Sequence, residues 1–181
     1  MTAGIKLKSV VEERHDDAWT YPTMASDEAL LMPASVLERM AEVIDDSLGD
    51  EAANFWYGLG EEMGEKMATD VIAKTKTKRS RVFKLLIEEI QLMGWGKVTI
   101  YDKKFGGIEG TFRIEVATLL RNNRSGNRCQ LLRGFLTGSL RTTYSADDIT
   151  CTEISCTLKG DSFCEFKVER PRKSWLRSVF Y

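Results

Sequence analysis

All four cysteines of this chain fall between Cys129 and Cys164, and three of them sit in one stretch, Cys151-Thr-Glu153-Ile-Ser-Cys156-Thr-Leu-Lys-Gly160-Asp-Ser-Phe-Cys164. Lys159-Gly160-Asp161 is a turn signal between two runs rich in β-branched and aromatic residues, so the stretch reads as a β-hairpin. A three-residue loop centred on Gly160 predicts that Leu158 pairs with Ser162, Cys156 with Cys164 and Ile154 with Phe166. Directly opposed residues on one face have Cβ atoms about 5 Å apart, near enough for two thiolates to share one metal ion. The apolar alternation adds a second constraint. Ile154, Cys156 and Leu158 share a face with Cys164, Phe166 and Val168, whereas Ile149 and Cys151 have the opposite parity, so the phase slips between Glu153 and Cys156. A β-bulge near Ile154 or Ser155 restores a single inward face and turns Glu153 toward the side of Cys156 and Cys164. Three sulfurs and a carboxylate can then converge. The competing reading makes the cysteines small buried hydrophobes, or an opposed pair joined as a disulfide.

At 181 residues the chain has the length of one ordinary domain with short appendages and can bury a real core. Its 26 basic and 27 acidic side chains nearly cancel, which argues against nucleic acid or an anionic membrane as the main partner. No run reaches transmembrane length, and the first residues lack the apolar stretch of a signal peptide, so the expected location is the cytoplasm. In a reducing compartment clustered cysteines are more often metal ligands or reactive thiols than structural disulfides.

Residues 1–26 mix charges with isolated apolar residues and form an N-terminal arm without a clear period; its His15, in a charged context, reads as a solvated surface residue. The segment from 27 to 170 reads as a single domain, and the basic, aromatic residues 171–181 as a C-terminal tail. Ser35-Val-Leu-Glu38 is a capping box that opens a first helix, with Leu37, Met40, Ala41, Ile44 and Leu48 on one face and Gly49 as its stop. Asp50 caps a second helix running to about Ala73, whose inner face is predicted to be Trp56, Leu59, Met63, Met67 and Val71. That helix also carries Gly58, Gly60 and Gly64, each costing up to about 1 kcal/mol relative to alanine, so a partner helix or a ligand should approach its backbone closely.

Lys74 to Arg81 is a basic connector with no interleaved stacking aromatics. Phe83, Leu86, Ile87, Ile90 and Met93 mark a third helix, stopped by Gly94 and Gly96. The period then changes: Val98 and Ile100 on one strand, a turn at Phe105-Gly-Gly107 and Gly110, and Phe112, Ile114 and Val116 on the return make an antiparallel hairpin. After a polar loop, Cys129, Leu132, Phe135, Leu136 and Leu140 fit a helix with Gly134 and Gly138 one turn apart, and the cysteine-bearing hairpin follows. The fold class is α+β: a helical hairpin and further helices packed on a small antiparallel sheet made of two β-hairpins separated by a helix.

Two local signatures, Cys129-Gln-Leu-Leu-Arg-Gly134-Phe-Leu-Thr-Gly138 and Glu153-Ile-Ser-Cys156 with Lys159-Gly160-Asp161-Ser-Phe-Cys164-Glu-Phe, resemble the 4-vinyl reductase domain family. The resemblance runs from about Ser35 to Arg170 and includes Gly60 and Gly64. That family comprises small-molecule sensor modules of aromatic-responsive bacterial regulators and stand-alone archaeal proteins, and it shares a fold with subunits of a Golgi transport tethering complex. The resemblance implies a structural zinc ion held by Cys129, Glu153, Cys156 and Cys164, with Cys151 a pocket or core residue, or a ligand in place of Glu153.

Three functions from different classes fit. The favoured one is a binding module in which zinc staples the hairpin to the Cys129 helix and an apolar pocket takes a small hydrophobic ligand. Its candidate lining is Trp56, Leu59, Met63, Phe112, Ile114 and Cys151, between the second helix and the sheet. Such a module has no output domain of its own and signals through a protein partner. The second is a reductase, or an accessory factor, acting on a tetrapyrrole vinyl group; no Gly-rich dinucleotide fingerprint supports it, and four protein ligands leave the metal no open position. The third is an assembly subunit without a ligand. Apolar helix faces bearing Met40, Met63, Met67 and Met93, beside a sheet of four strands, predict a homodimer.

Overall fold

A computed structural model describes residues 34–92, 95–104, 109–115 and 127–170. The N-terminal arm with His15, Met93, Gly94, the turn around Phe105, Val116 and the basic tail lie outside the described residues.

Helix α1 (Ala34–Leu48) begins one residue before Ser35, so the capping-box serine lies in its first turn. A single 3-10 turn (Gly49–Glu51) joins it to α2 (Ala52–Thr75), and Gly49 takes φ +54°, a left-handed conformation that glycine adopts without steric cost. The helical hairpin is therefore as expected, with α2 starting two residues after Asp50. Helix α3 (Arg79–Leu92) buries Phe83, Leu86, Ile87 and Ile90. Strands β1 (Lys97–Lys104) and β2 (Glu109–Glu115) pair antiparallel, with Val98 opposite Ile114 and Ile100 opposite Phe112. Helix α4 (Asn127–Tyr144), β3 (Thr150–Ser155) and β4 (Cys164–Glu169) follow, and the four strands form one antiparallel sheet in the order β1-β2-β4-β3. The fold is α+β, as the alternating periods imply.

The inner face of α2 differs from the sequence expectation. Trp56 and Val71 are buried, but Met63 and Met67 are only partly covered and Leu59 is 37% exposed. The buried stripe is instead Ala52, Trp56, Gly60, Gly64 and Ala68, every fourth residue, and it faces α4. A methyl group at Gly60 would collide with the Leu131 carbonyl, one at Gly64 with that of Phe135, and one at Gly134 with that of Tyr57. The two backbones touch because neither helix carries a side chain at the crossing, and a stripe of larger residues would hold them apart. Arg141 on α4 adds an ion pair to Glu61 on α2 and donates from Nε to the Ile149 carbonyl at 2.9 Å.

The opposite face of α4 carries Leu132, Leu136 and Leu140 into the main core, where they join α3 and the strand residues Phe112, Cys164, Phe166 and Val168. Phe83 meets Phe112 edge to face at 5.4 Å, which fixes α3 against the sheet. A smaller cluster of Ala41, Ala52, Trp56 and Leu131 attaches α1, and Asp45 Oδ1 accepts from Trp56 Nε1 at 2.8 Å and from Asn127 Nδ2 at 3.1 Å. The apolar face of α1 is largely uncovered in the single chain: Ala41 is buried, whereas Leu37, Met40 and Leu48 are exposed. Among the described residues no helix is long and apolar enough to cross a membrane.

Candidate metal centre and candidate ligand-binding residues

Three elements meet at the cysteines. Cys129 lies in the first turn of α4 and is fully buried; Cys164 opens β4, opposite Ile114 of β2, and is also fully buried. Strand β3 contains the expected bulge: Glu153 pairs with Phe166 but Ser155 with Glu165, so Ile154 is the extra residue. Ile154 turns out to solvent, 52% exposed, and Cys151 and Glu153 face the same side as Val168 and Phe166.

The predicted pairs beyond the bulge are not formed. Ile154 does not oppose Phe166 because it is the bulged residue, and Cys156 does not oppose Cys164, nor Leu158 pair with Ser162, because β3 ends at Ser155. Residues Thr157–Lys159 coil into a 3-10 turn closed by Gly160 at φ +93°, and the Cys156 carbonyl accepts from the N–H groups of Lys159 (2.9 Å) and Asp161 (3.3 Å). These local bonds replace the strand ladder, leave Leu158 exposed, and swing Cys156 inward from the end of β3.

The result is a compact set of donors. The sulfur of Cys129 lies 3.7 Å from that of Cys156 and 3.8 Å from that of Cys164. One ligand atom from each of Cys129, Glu153, Cys156 and Cys164 lies within 4.8 Å of all the others. Tetrahedral bonds of about 2.3 Å from a metal such as zinc to sulfur put neighbouring sulfurs about 3.8 Å apart, the spacing of Cys129 to Cys156 and to Cys164, so the group could hold a metal ion. None of the four cysteines is in a disulfide, so the Cys156–Cys164 bridge left open by the sequence is not formed. Glu153 Oε1 is buried and has no hydrogen-bond partner, an acceptor whose cost is relieved by a cation beside it.

The thiols share their protons unequally. The bond between Cys129 and Cys164 holds Cys129 far above the usual thiol range, aided by burial and by Glu153, and lowers Cys164 to about 6, aided by the N–H and hydroxyl of Thr157. Burial raises Cys156, against an N–H bond from Leu158 that favours its thiolate. Burial pushes Cys151 up to about 12, with the Arg133 charge opposing it. A divalent cation would reverse this order, since it binds thiolates and releases their protons.

The candidate ligand-binding residues fall into several settings. Trp56 belongs to the small cluster under α1, Leu59 is exposed on α2, and Met63 is partly buried against both clusters. Phe112 is buried in the main core, Ile114 stands in register with Cys164, and Cys151 is half-buried against that core. Helix α4 occupies the place between α2 and the sheet where the sequence put the pocket, because the glycine stripe lets it seat directly on α2. Sequence reasoning also missed Asp161, whose Oδ2 accepts the Cys156 N–H at 2.7 Å, and Thr157, whose hydroxyl lies 3.5 Å from Cys164 Sγ. The turn signal at Lys159-Gly160-Asp161 gave no clue to this bond, because a turn aspartate commonly bonds the backbone two residues on, whereas Asp161 reaches five residues back.

No protein-family model and no curated protein matches the chain. Solved structures do. The phenol-responsive sensory domain of the transcription activator PoxR, in complex with phenol, is similar over 82% of this chain and 79% of its own, with a TM-score of 0.66 at 18% identity. Trafficking protein particle complex subunit 3 from Naegleria fowleri, covalently bound to palmitic acid, matches over 76% of this chain and 92% of its own, with a TM-score of 0.55 at 15% identity. A vinyl-4-reductase family protein from Methanocaldococcus jannaschii matches over 80% and 85%, with a TM-score of 0.51 at 18% identity. The chain thus has the fold common to a sensory domain, a trafficking subunit and a vinyl-4-reductase protein, the fold implied by the sequence resemblance.

Proposed function

We propose that residues 27–170 form a sensor-type domain in which one zinc ion, held by Cys129, Glu153, Cys156 and Cys164, staples the last hairpin to α4, and which binds a small hydrophobic ligand and signals through a protein partner. The observation that carries the metal reading is the convergence of three thiols and an orphaned carboxylate oxygen within 4.8 Å. Zinc in such a set is closed by protein ligands and supplies folding energy rather than an activated water. The four residues come from a helix, a bulged strand, a turn and a second strand, so one ion would fix the relative positions of all of them. The ligand reading is supported by the fold shared with a phenol-responsive domain, and the choice of a hydrophobic ligand also by the trafficking subunit that carries palmitic acid.

Titration calorimetry of the zinc-loaded chain with phenol and, separately, with palmitic acid tests the binding reading. One-to-one binding of either, with a rise in melting temperature by mass action, is expected. No heat and no thermal shift with both would leave a purely structural or assembly role.

A second reading, an assembly surface, is favoured by the exposed Val36, Leu37, Met40 and Val43 on α1, where Val36, Met40 and Val43 border a shallow apolar groove of about 470 Å³. A homodimer would cover that face.

A further inference from the structure

The turn between β3 and β4 makes more polar contacts than a connector requires. The Cys156 carbonyl accepts from the N–H groups of Lys159 and Asp161, and Asp161 Oδ2 accepts the Cys156 N–H at 2.7 Å, so both backbone polar groups of this cysteine are held by the five residues that follow it. Ser155 Oγ donates to the Phe163 carbonyl at 3.1 Å and ties the two ends of the turn together. Within this fixed frame the Thr157 hydroxyl oxygen lies 3.5 Å from the Cys164 sulfur. Asp161 itself is exposed and touches none of the four candidate ligand atoms.

We propose, resting on the reading that Cys129, Glu153, Cys156 and Cys164 hold a metal ion, that Asp161 is a positioning residue for that ion: its carboxylate clamps the turn so that the Thr157 hydroxyl stays against the Cys164 sulfur. The physical need is charge. Three thiolates and a carboxylate bring four negative charges to a divalent ion, and N–H and O–H donors directed at sulfur disperse the excess. Losing the clamp frees the Cys156 N–H and lets the turn rotate, which withdraws that hydroxyl without removing any ligand. A turn cap that served folding alone would leave the electronic character of the metal–sulfur bonds untouched.

The test uses the full chain loaded with zinc, for affinity by competition with a chromophoric chelator, and with cobalt(II), whose sulfur-to-metal charge-transfer bands report thiolate donation. Asp161→Ala is expected to weaken zinc binding about 10- to 100-fold and to shift the cobalt bands. Asp161→Asn, whose side-chain oxygen can accept the same N–H, should keep the wild-type affinity and spectrum. Thr157→Val, which removes one donor and leaves the clamp, should shift the bands alone. Should Asp161→Ala fail to fold, the comparison of Asp161→Asn with Thr157→Val decides: an unshifted Thr157→Val spectrum overturns the proposal. So does an Asp161→Ala variant with wild-type affinity and bands, or an Asp161→Asn variant as weak as the alanine one. Wild-type protein that takes up neither metal overturns the underlying metal reading, a result distinct from any of these.

Discussion

Cys151 and Cys156 stand on the same short stretch, but only Cys156 reaches the other donors, because the Ile154 bulge and the 3-10 turn carry it past the end of β3. Cys156→Ser should therefore lose most of the metal's contribution to folding, more than about 3 kcal/mol, whereas Cys151→Ser should cost about 1 kcal/mol. Urea unfolding of both variants with and without chelator checks this, and equal losses would contradict it. In the metal-loaded protein Cys151 is also the one free thiol. Its pKa is raised by burial from about 9 to about 12, so its contribution to stability is complete below pH 9 and declines as pH rises toward 12, where the unfolded chain ionises and the folded one does not. Cys151→Ala should flatten that alkaline decline when unfolding free energies of the two proteins are subtracted across the window; an unchanged slope would show that the thiol ionises at the same pH in the folded and the unfolded chain. Glu153, Cys156 and Cys164 were legible as a group because parity breaks at Glu153 and a bulge repairs it, while the full set with Cys129 came from the family resemblance. Asp161 was not legible, since an aspartate in a turn looks the same whether it faces water or a backbone N–H.

At the scale of elements, the contact between α2 and α4 rests on the absence of side chains. Gly134→Ala would drive a methyl group into the Tyr57 carbonyl, and because backbone rather than a flexible side chain stands in the way, the helices must separate along their whole contact. We expect a loss of about 3 kcal/mol or more, at or beyond the upper end of ordinary overpacking, whereas Gly58→Ala, which meets nothing within 4 Å, should be neutral or stabilising. Chemical denaturation of both variants separates them, and similar values would mean that the helices cross differently. The sequence announced close approach through the glycines of both helices. It did not announce which stripe of α2 faces inward, because Leu59, Met63 and Met67 also recur at helical spacing and only the partner's shape selects between two overlapping faces. The hairpin register failed for a related reason: a turn that satisfies its own backbone competes with two more ladder pairs, and alternation of side chains cannot weigh those bonds.

For the whole molecule, element order and sheet class followed from the change of period after α3, while α4 lies between α2 and the sheet, where the pocket was drawn. The uncovered α1 face belongs to this scale. Light scattering at micromolar concentration should give twice the chain mass, and Met40→Glu together with Val43→Glu should return it to the monomer; a wild-type monomer would reject the dimer. The claim on which the account turns is the metal. Elemental analysis and native mass spectrometry of protein purified without chelator should find one zinc per chain, lost on Cys129→Ser or Cys164→Ser. Metal-free protein, or a Cys156–Cys164 disulfide that persists under reducing conditions, would contradict it.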